Sequence, residues 1–380
     1  MIKKLLCLTL PAVLVAAPLK ADTETRHIMQ DVADALEVLL PLSLDGDEFL
    51  SPDNRERVLA HLEELEESAD GLAEHGAESE SLDFQLLAAA FARAVSRIRE
   101  DFQYVHPAEA RYVLVDLTQH CVACHSRDPA MADFPLSNAL NRYLVEEPLD
   151  EREQAHLQVA LRQFDDAMVT WEELMSSAAS QPVDLALDGS FVEYLTVAVR
   201  VQEAYSRAAR QLEELAGRET VPFYLERRLG RWVDDLEALE RSQGQEMRMA
   251  RAREIFLGPD TRPGLLWDDD RLVKDLALSA SLRRMVAAGD RELPPAELAE
   301  AYYMLGVLEA RTINLYSALP SMERFWEAAV RAAPTSSHAV EAYALMEEYA
   351  ATTYSGELPF ERTDDTFSRL AELRALIGLD

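Results

Sequence analysis

The chain has 380 residues, with 69 acidic against 37 basic side chains and a formal charge of −32. So acidic a surface repels phosphate backbones and anionic lipid, which weighs against nucleic acid and acidic membranes as partners and leaves a basic protein surface or plain solubility for the charge to serve. The length accommodates two or three domains, and the pattern is helical almost throughout, so the expected fold class is all-α.

Residues 1–21 read as an export signal peptide. Lys3 and Lys4 form the positive start, Leu5 to Ala17 an apolar run interrupted by Pro11, and Leu19 and Ala21 the −3 and −1 positions of a cleavage site. The run falls short of the ~20 residues that span a bilayer, so no membrane span is expected once it is removed. Removal takes away Lys3, Lys4 and Lys20 and no acid, moving the charge from −32 to −35. Cys7 leaves with it, so only Cys121 and Cys124 remain in an oxidising compartment, and the expected location is the periplasm.

Residues 22–147 read as four helices. The first, about 24–40, carries Met29, Val32, Leu36 and Leu40 on one stripe and ends at Pro41 and Gly46. The second opens with Ser51 as cap and Pro52 in its first turn, buries Val58, Leu62, Leu65, Ala69 and Leu72, and stops before Gly76. The third, capped by Ser81, buries Leu87, Phe91, Ala94, Ile98 and Phe102. The fourth starts at Pro107 and aligns Leu114, Leu117, Cys121 and Cys124. Short links between helices of this kind predict an antiparallel four-helix bundle.

The fourth helix carries Cys121-Val122-Ala123-Cys124-His125, the C-x-x-C-H attachment signature of a c-type haem. Positions 121, 124 and 125 share one helical face, so two thiols can each add to a haem vinyl group while the adjacent imidazole reaches the iron. A zinc site would require two further ligands at a distance, and His120 is too near in sequence to supply one. A thioredoxin-like redox pair would require a βαβ context, and a structural disulfide does not require the histidine. Export and the haem motif support each other, because covalent attachment in bacteria is completed outside the cytoplasm. The cofactor expected is one covalent haem c.

With this motif late in a four-helix region, residues 22–147 resemble the class II cytochromes c, the cytochrome c′ type. The resemblance implies a distal position on the first helix shortly after an arginine, which Arg26 and Met29 match. Met29 is therefore the candidate sixth iron ligand beside the proximal His125. The sequence after the histidine, Ser126-Arg127-Asp128-Pro129, departs from that family, where an aromatic residue before an arginine is more usual. His27 is an alternative distal ligand if the helix rotates; His61, His75, His106 and His120 read as solvated or out of reach. Arg127 is a candidate for a haem propionate.

Pro129, Pro135 and Pro148 break up residues 128–147. From 148 to 380 the helices expected are 150–180, 190–217, 222–256, 270–288, 295–316, 320–333, 337–353 and 364–377, arranged as an α-solenoid. Residues 295–352 resemble a tetratricopeptide repeat through Leu305-Gly306, Phe325, Ala328 and Pro334. Trp171, Trp232, Trp267 and Trp326 read as core, and Asp268-Asp269-Asp270 as a solvated turn and cap.

The function expected is an exported monohaem c-type cytochrome for electron transfer, its helical repeat region docking a redox partner protein or periplasmic complex. Two other readings stay open: a gas-binding or sensing protein with five-coordinate iron, and an assembly scaffold in which haem is structural. No catalytic constellation stands out, so an electron carrier fits better than an enzyme.

Overall fold

The computed structural model describes residues 23–44, 46–79, 82–126, 150–245, 247–258, 269–289, 293–312, 321–353 and 363–379. The signal peptide, Ser81, Arg127, the stretch 128–147, Trp267 and Asp268 lie outside the described residues. Those described are all helical, with no strand among them, and no helix among them is long and apolar enough to cross a membrane.

Three apolar clusters organise the molecule. The first is built by α1 (Thr23–Leu44), the short α2 (Gly46–Phe49), α3 (Arg55–Ala77), α4 (Leu82–Glu100), α5 (Pro107–Asp116) and α6 (Thr118–His125). On α3 the stripe Val58, Leu62, Leu65, Ala69 and Leu72 is buried, as its helical spacing requires. Phe91 and Ile98 from α4 and Phe102 from the turn beyond it join it in the same cluster.

Several helix ends differ from those the sequence predicts. α1 runs through Pro41 to Leu44. A proline so near the end of a helix forfeits one backbone bond in a turn that already has side-chain support. There the Ser43 hydroxyl donates to the Leu40 carbonyl at 2.7 Å, and Arg111 Nε donates to the Ser43 carbonyl at 2.5 Å. Ser51 and Pro52 form a turn ahead of α3, where the Asn54 N–H bonds the Ser51 carbonyl at 3.1 Å and the helix starts at Arg55. Gly76 lies inside the last turn of α3, where a Cβ would meet that of Ala88 at 3.0 Å. Its missing side chain lets α4 approach.

The second cluster extends over α7 (Glu151–Ala160), α8 (Phe164–Ser176), α9 (Pro182–Leu187), α10 (Ser190–Thr196), α11 (Tyr205–Ala216), α12 (Phe223–Ser242) and the start of α14 (Leu272–Gly289). Trp171, Tyr194 and Trp232 are buried in it. The third joins α13 (Met249–Phe256), the rest of α14, α15 (Pro295–Thr312), α16 (Ser321–Ala332), α17 (Ser337–Thr353) and α18 (Thr363–Ile377) around Trp326.

Three of the long helices expected here are broken. The one expected at 150–180 breaks at Arg162, whose φ of 63° is left-handed. The one expected at 190–217 ends in a π-helical turn, Val197–Val201, followed by Glu203 at φ 47°. The one expected at 222–256 stops at Ser242, and Gly244 has a φ of 79°. Asp270 lies on a short turn, its side chain 40 % exposed, and pairs with Arg231.

The clusters are not sealed off from one another. Leu157, Ala160 and Leu161, beyond the start of the helical array expected from 148, belong to the first cluster. Arg200, in the π-helical turn, donates to Ser279 of α14 at 2.7 Å and to Glu309 of α15 at 3.2 Å.

Candidate functional site

The C-x-x-C-H motif occupies the last two turns of α6. The helix expected to run unbroken from Pro107 is interrupted at Leu117. The Leu117 N–H bonds the Leu114 carbonyl at 3.2 Å, and its own carbonyl accepts from the His120 N–H at 3.0 Å. These tight i→i+3 bonds reset the helix at Leu117. Leu114 and Leu117 stay in the core, while the following turn carries the motif into the junction with α7.

Cys121 and Cys124 are half-buried and lie one turn apart. Burial, reinforced by the neighbouring Cys124, pushes the Cys121 thiol up to about 12 against the opposing pull of a backbone hydrogen bond. A thiol so held keeps its proton at neutral pH. Among the described residues no group of three or more His, Cys, Asp or Glu side chains is placed to hold a metal ion.

His125 is buried, and its Nδ1 lies 2.7 Å from the Ala160 carbonyl oxygen at the end of α7. A carbonyl only accepts, so Nδ1 carries the proton and the lone pair resides on Nε2. Burial, then the charge of Arg162, push the imidazole down to about 3, against backbone hydrogen bonds to Ala160 and Val159 that favour protonation. The ring is thus neutral and oriented, with its lone pair on Nε2, the state an axial ligand requires.

This donor set fits a covalent haem. Two cysteines three residues apart could form the thioethers, and His125 Nε2 offers one axial ligand; the porphyrin itself would supply four nitrogens, so no larger protein cluster is needed.

Other residues singled out in the sequence are more scattered. Met29 is half-buried on α1 and borders the first cluster, as Cys121 and Val122 do. The main neighbours of α1 are α2, α3 and α5, and those of α6 are α4, α5 and α7. The motif residues are therefore brought together on one turn, and Met29 shares their cluster through a different set of helices. Arg26 and His27 are exposed, as is His106. His61 pairs with Glu64 at 2.7 Å, and His75 approaches Glu24 at 3.8 Å. The His120 ring lies 6.3 Å from that of Phe91, and burial followed by the charge of Arg93 pushes it down to about 4.

The partners of α6 that sequence reasoning missed come from beyond residue 148. Thr118 Oγ1 lies 3.0 Å from His156 Nε2, and His156 Nδ1 lies 3.1 Å from Glu193 Oε2. Ala160 acts through its backbone, which no side-chain motif can announce, and His156 carries no spacing signal that ties it to Thr118. Comparison with family models, curated proteins and solved structures found no match.

Proposed function

We propose that the chain is an exported, periplasmic monohaem c-type cytochrome whose work is electron transfer. Cys121 and Cys124 are the thioether anchors, His125 the proximal iron ligand and Met29 the sixth ligand. The observation that carries this reading is the His125 ring, with its proton fixed on Nδ1 by the Ala160 carbonyl at 2.7 Å beside Cys121 and Cys124, half-buried on the same turn. When bound, the haem supplies a one-electron couple; the chain's own residues anchor it, orient the axial nitrogen and exclude water from that side.

In this reading α1, α3, α4 and the α5–α6 pair form a four-helix haem bundle similar to class II cytochromes c. Residues 148–380 form a tetratricopeptide-like array of helix pairs that docks a redox partner or periplasmic complex. Support for the repeat-like pairing comes from Gly306 on α15, which lies directly against the Trp326 ring on α16, and from Tyr302 stacked on Phe325 with ring centroids 6.5 Å apart. The −32 charge favours a partner with a basic docking surface, whose encounter would weaken as salt screens it.

The test is a visible spectrum of the exported protein, oxidised and reduced, with and without carbon monoxide. Sharp low-spin bands that carbon monoxide does not move are expected. A high-spin spectrum that carbon monoxide shifts would replace electron transfer with gas binding at a five-coordinate iron.

A further inference from the structure

His156 and Ala160 lie one turn apart on the same face of α7. They hold the two ends of α6: His156 Nε2 meets Thr118, its first residue, at 3.0 Å, and the Ala160 carbonyl meets His125, its last, at 2.7 Å. The His156 side chain is 14 % exposed and that of its second partner, Glu193 on α10, is 12 % exposed. A carboxylate only accepts, so in the neutral ring Glu193 fixes the proton on Nδ1. Nε2 is then the acceptor and the Thr118 hydroxyl the donor.

α6 packs against α4, α5 and α7, and within that packing two polar links tie it to α7: the carbonyl at 160 holds its last residue and the Thr118 link, almost two turns away, holds its first. We propose that His156 is a positioning residue for the haem-bearing turn, setting the orientation of α6 through Thr118 and itself set by Glu193. The proposal rests on the haem reading for its consequence at the iron, but the clamp is a property of the polypeptide.

Full-length chain would be exported together with haem-attachment machinery, and covalent haem measured first on the wild type. The readout for positioning is the electron paramagnetic resonance band of the oxidised iron, which senses the orientation of the axial imidazole, read beside the covalent haem yield and the melting temperature. Thr118→Val keeps the shape and removes the hydroxyl, His156→Leu removes the ring nitrogens, and Thr118→Ser keeps the donor. Thr118→Val and His156→Leu are each expected to shift or broaden the band and lower haem yield several-fold. The double variant should be no worse than His156→Leu alone, because both changes act on one link, and Thr118→Ser should match the wild type.

Wild-type band and yield in Thr118→Val would overturn the proposal, as would additive effects in the double variant. If His156→Leu does not fold, Thr118→Val and Thr118→Ser carry the test alone. If the wild type binds no covalent haem, the haem reading fails separately. The clamp is then judged on amide exchange across 118–125, expected to be faster in Thr118→Val, with unchanged exchange overturning it.

Discussion

The His125 imidazole donates from Nδ1 to the backbone carbonyl of Ala160 at 2.7 Å, so the candidate axial ligand is oriented by a residue 35 positions later in the chain. The motif helix and the segment after residue 148 are therefore parts of one site. A chain cut at 147 would lose that acceptor together with Leu157 and Leu161 from the first cluster. We expect residues 22–147 to melt well below residues 22–176. Each leucine whose burial is lost forfeits about 1.5–3 kcal/mol, and exchanging the carbonyl partner of the His125 N–H for water costs about 0.5–1.5 kcal/mol more. Thermal melts of the two fragments decide it; equal midpoints would show that α7 contributes nothing to the first cluster.

Met29 on α1 is the proposed sixth ligand. Met29→Ala should convert a low-spin protein that ignores carbon monoxide into a high-spin one that binds it. A wild type that already binds carbon monoxide, or a variant that still refuses it, removes Met29 from the iron.

Glu309 is buried between two arginines, accepting from Arg283 at 2.5 Å and from Arg200 at 3.2 Å. Glu309→Gln leaves both guanidinium groups facing a neutral amide and should cost about 3–5 kcal/mol, whereas Arg200→Met, which leaves Arg283 paired, should cost less. Urea midpoints of the two variants test the order.

Gly306 has no room for a side chain, since a Cβ there would collide with the indole of Trp326. Gly306→Ala must push α15 and α16 apart, and we expect a loss of at least about 1–3 kcal/mol. A denaturation midpoint matching the wild type would show that the two helices are not packed this closely.

Tyr205 and Tyr303 are each raised from 10.0 to about 12, first by burial and then by nearby carboxylates, Glu203 and Glu341 respectively. The native state therefore keeps phenolic protons that the unfolded chain releases above pH 10. Stability from these groups is complete below that value and falls as pH rises towards about 12. Tyr205→Phe and Tyr303→Phe should each flatten the decline between those limits, which urea titrations at stepped pH would resolve.

Much of the first region was legible from periodicity. The buried stripe of α3 and most of that of α4 lie where a 3.6-residue repeat puts them, because each helix buries one continuous apolar face. The breaks were not legible where no glycine or proline announces them. Arg162 and Glu203 adopt left-handed backbone that composition does not flag, and Pro41 reads as a stop although α1 passes through it. At the site, Cys121, Cys124 and His125 are carried by local spacing and could be read directly. Thr118–His156–Glu193 and the Ala160 carbonyl depend on how α7 and α10 pack against α6, and contacts between segments so far apart leave no pattern in the chain.

The central claim is that Cys121 and Cys124 hold a haem covalently. Its most direct test is the intact mass of the exported, full-length protein beside that of the Cys121→Ala/Cys124→Ala double variant, both produced with haem-attachment machinery. The account predicts one haem per wild-type chain, retained through denaturation, mapping to the peptide that contains residues 121–125, and absent from the double variant. A wild-type chain with the bare polypeptide mass and two free thiols would contradict it.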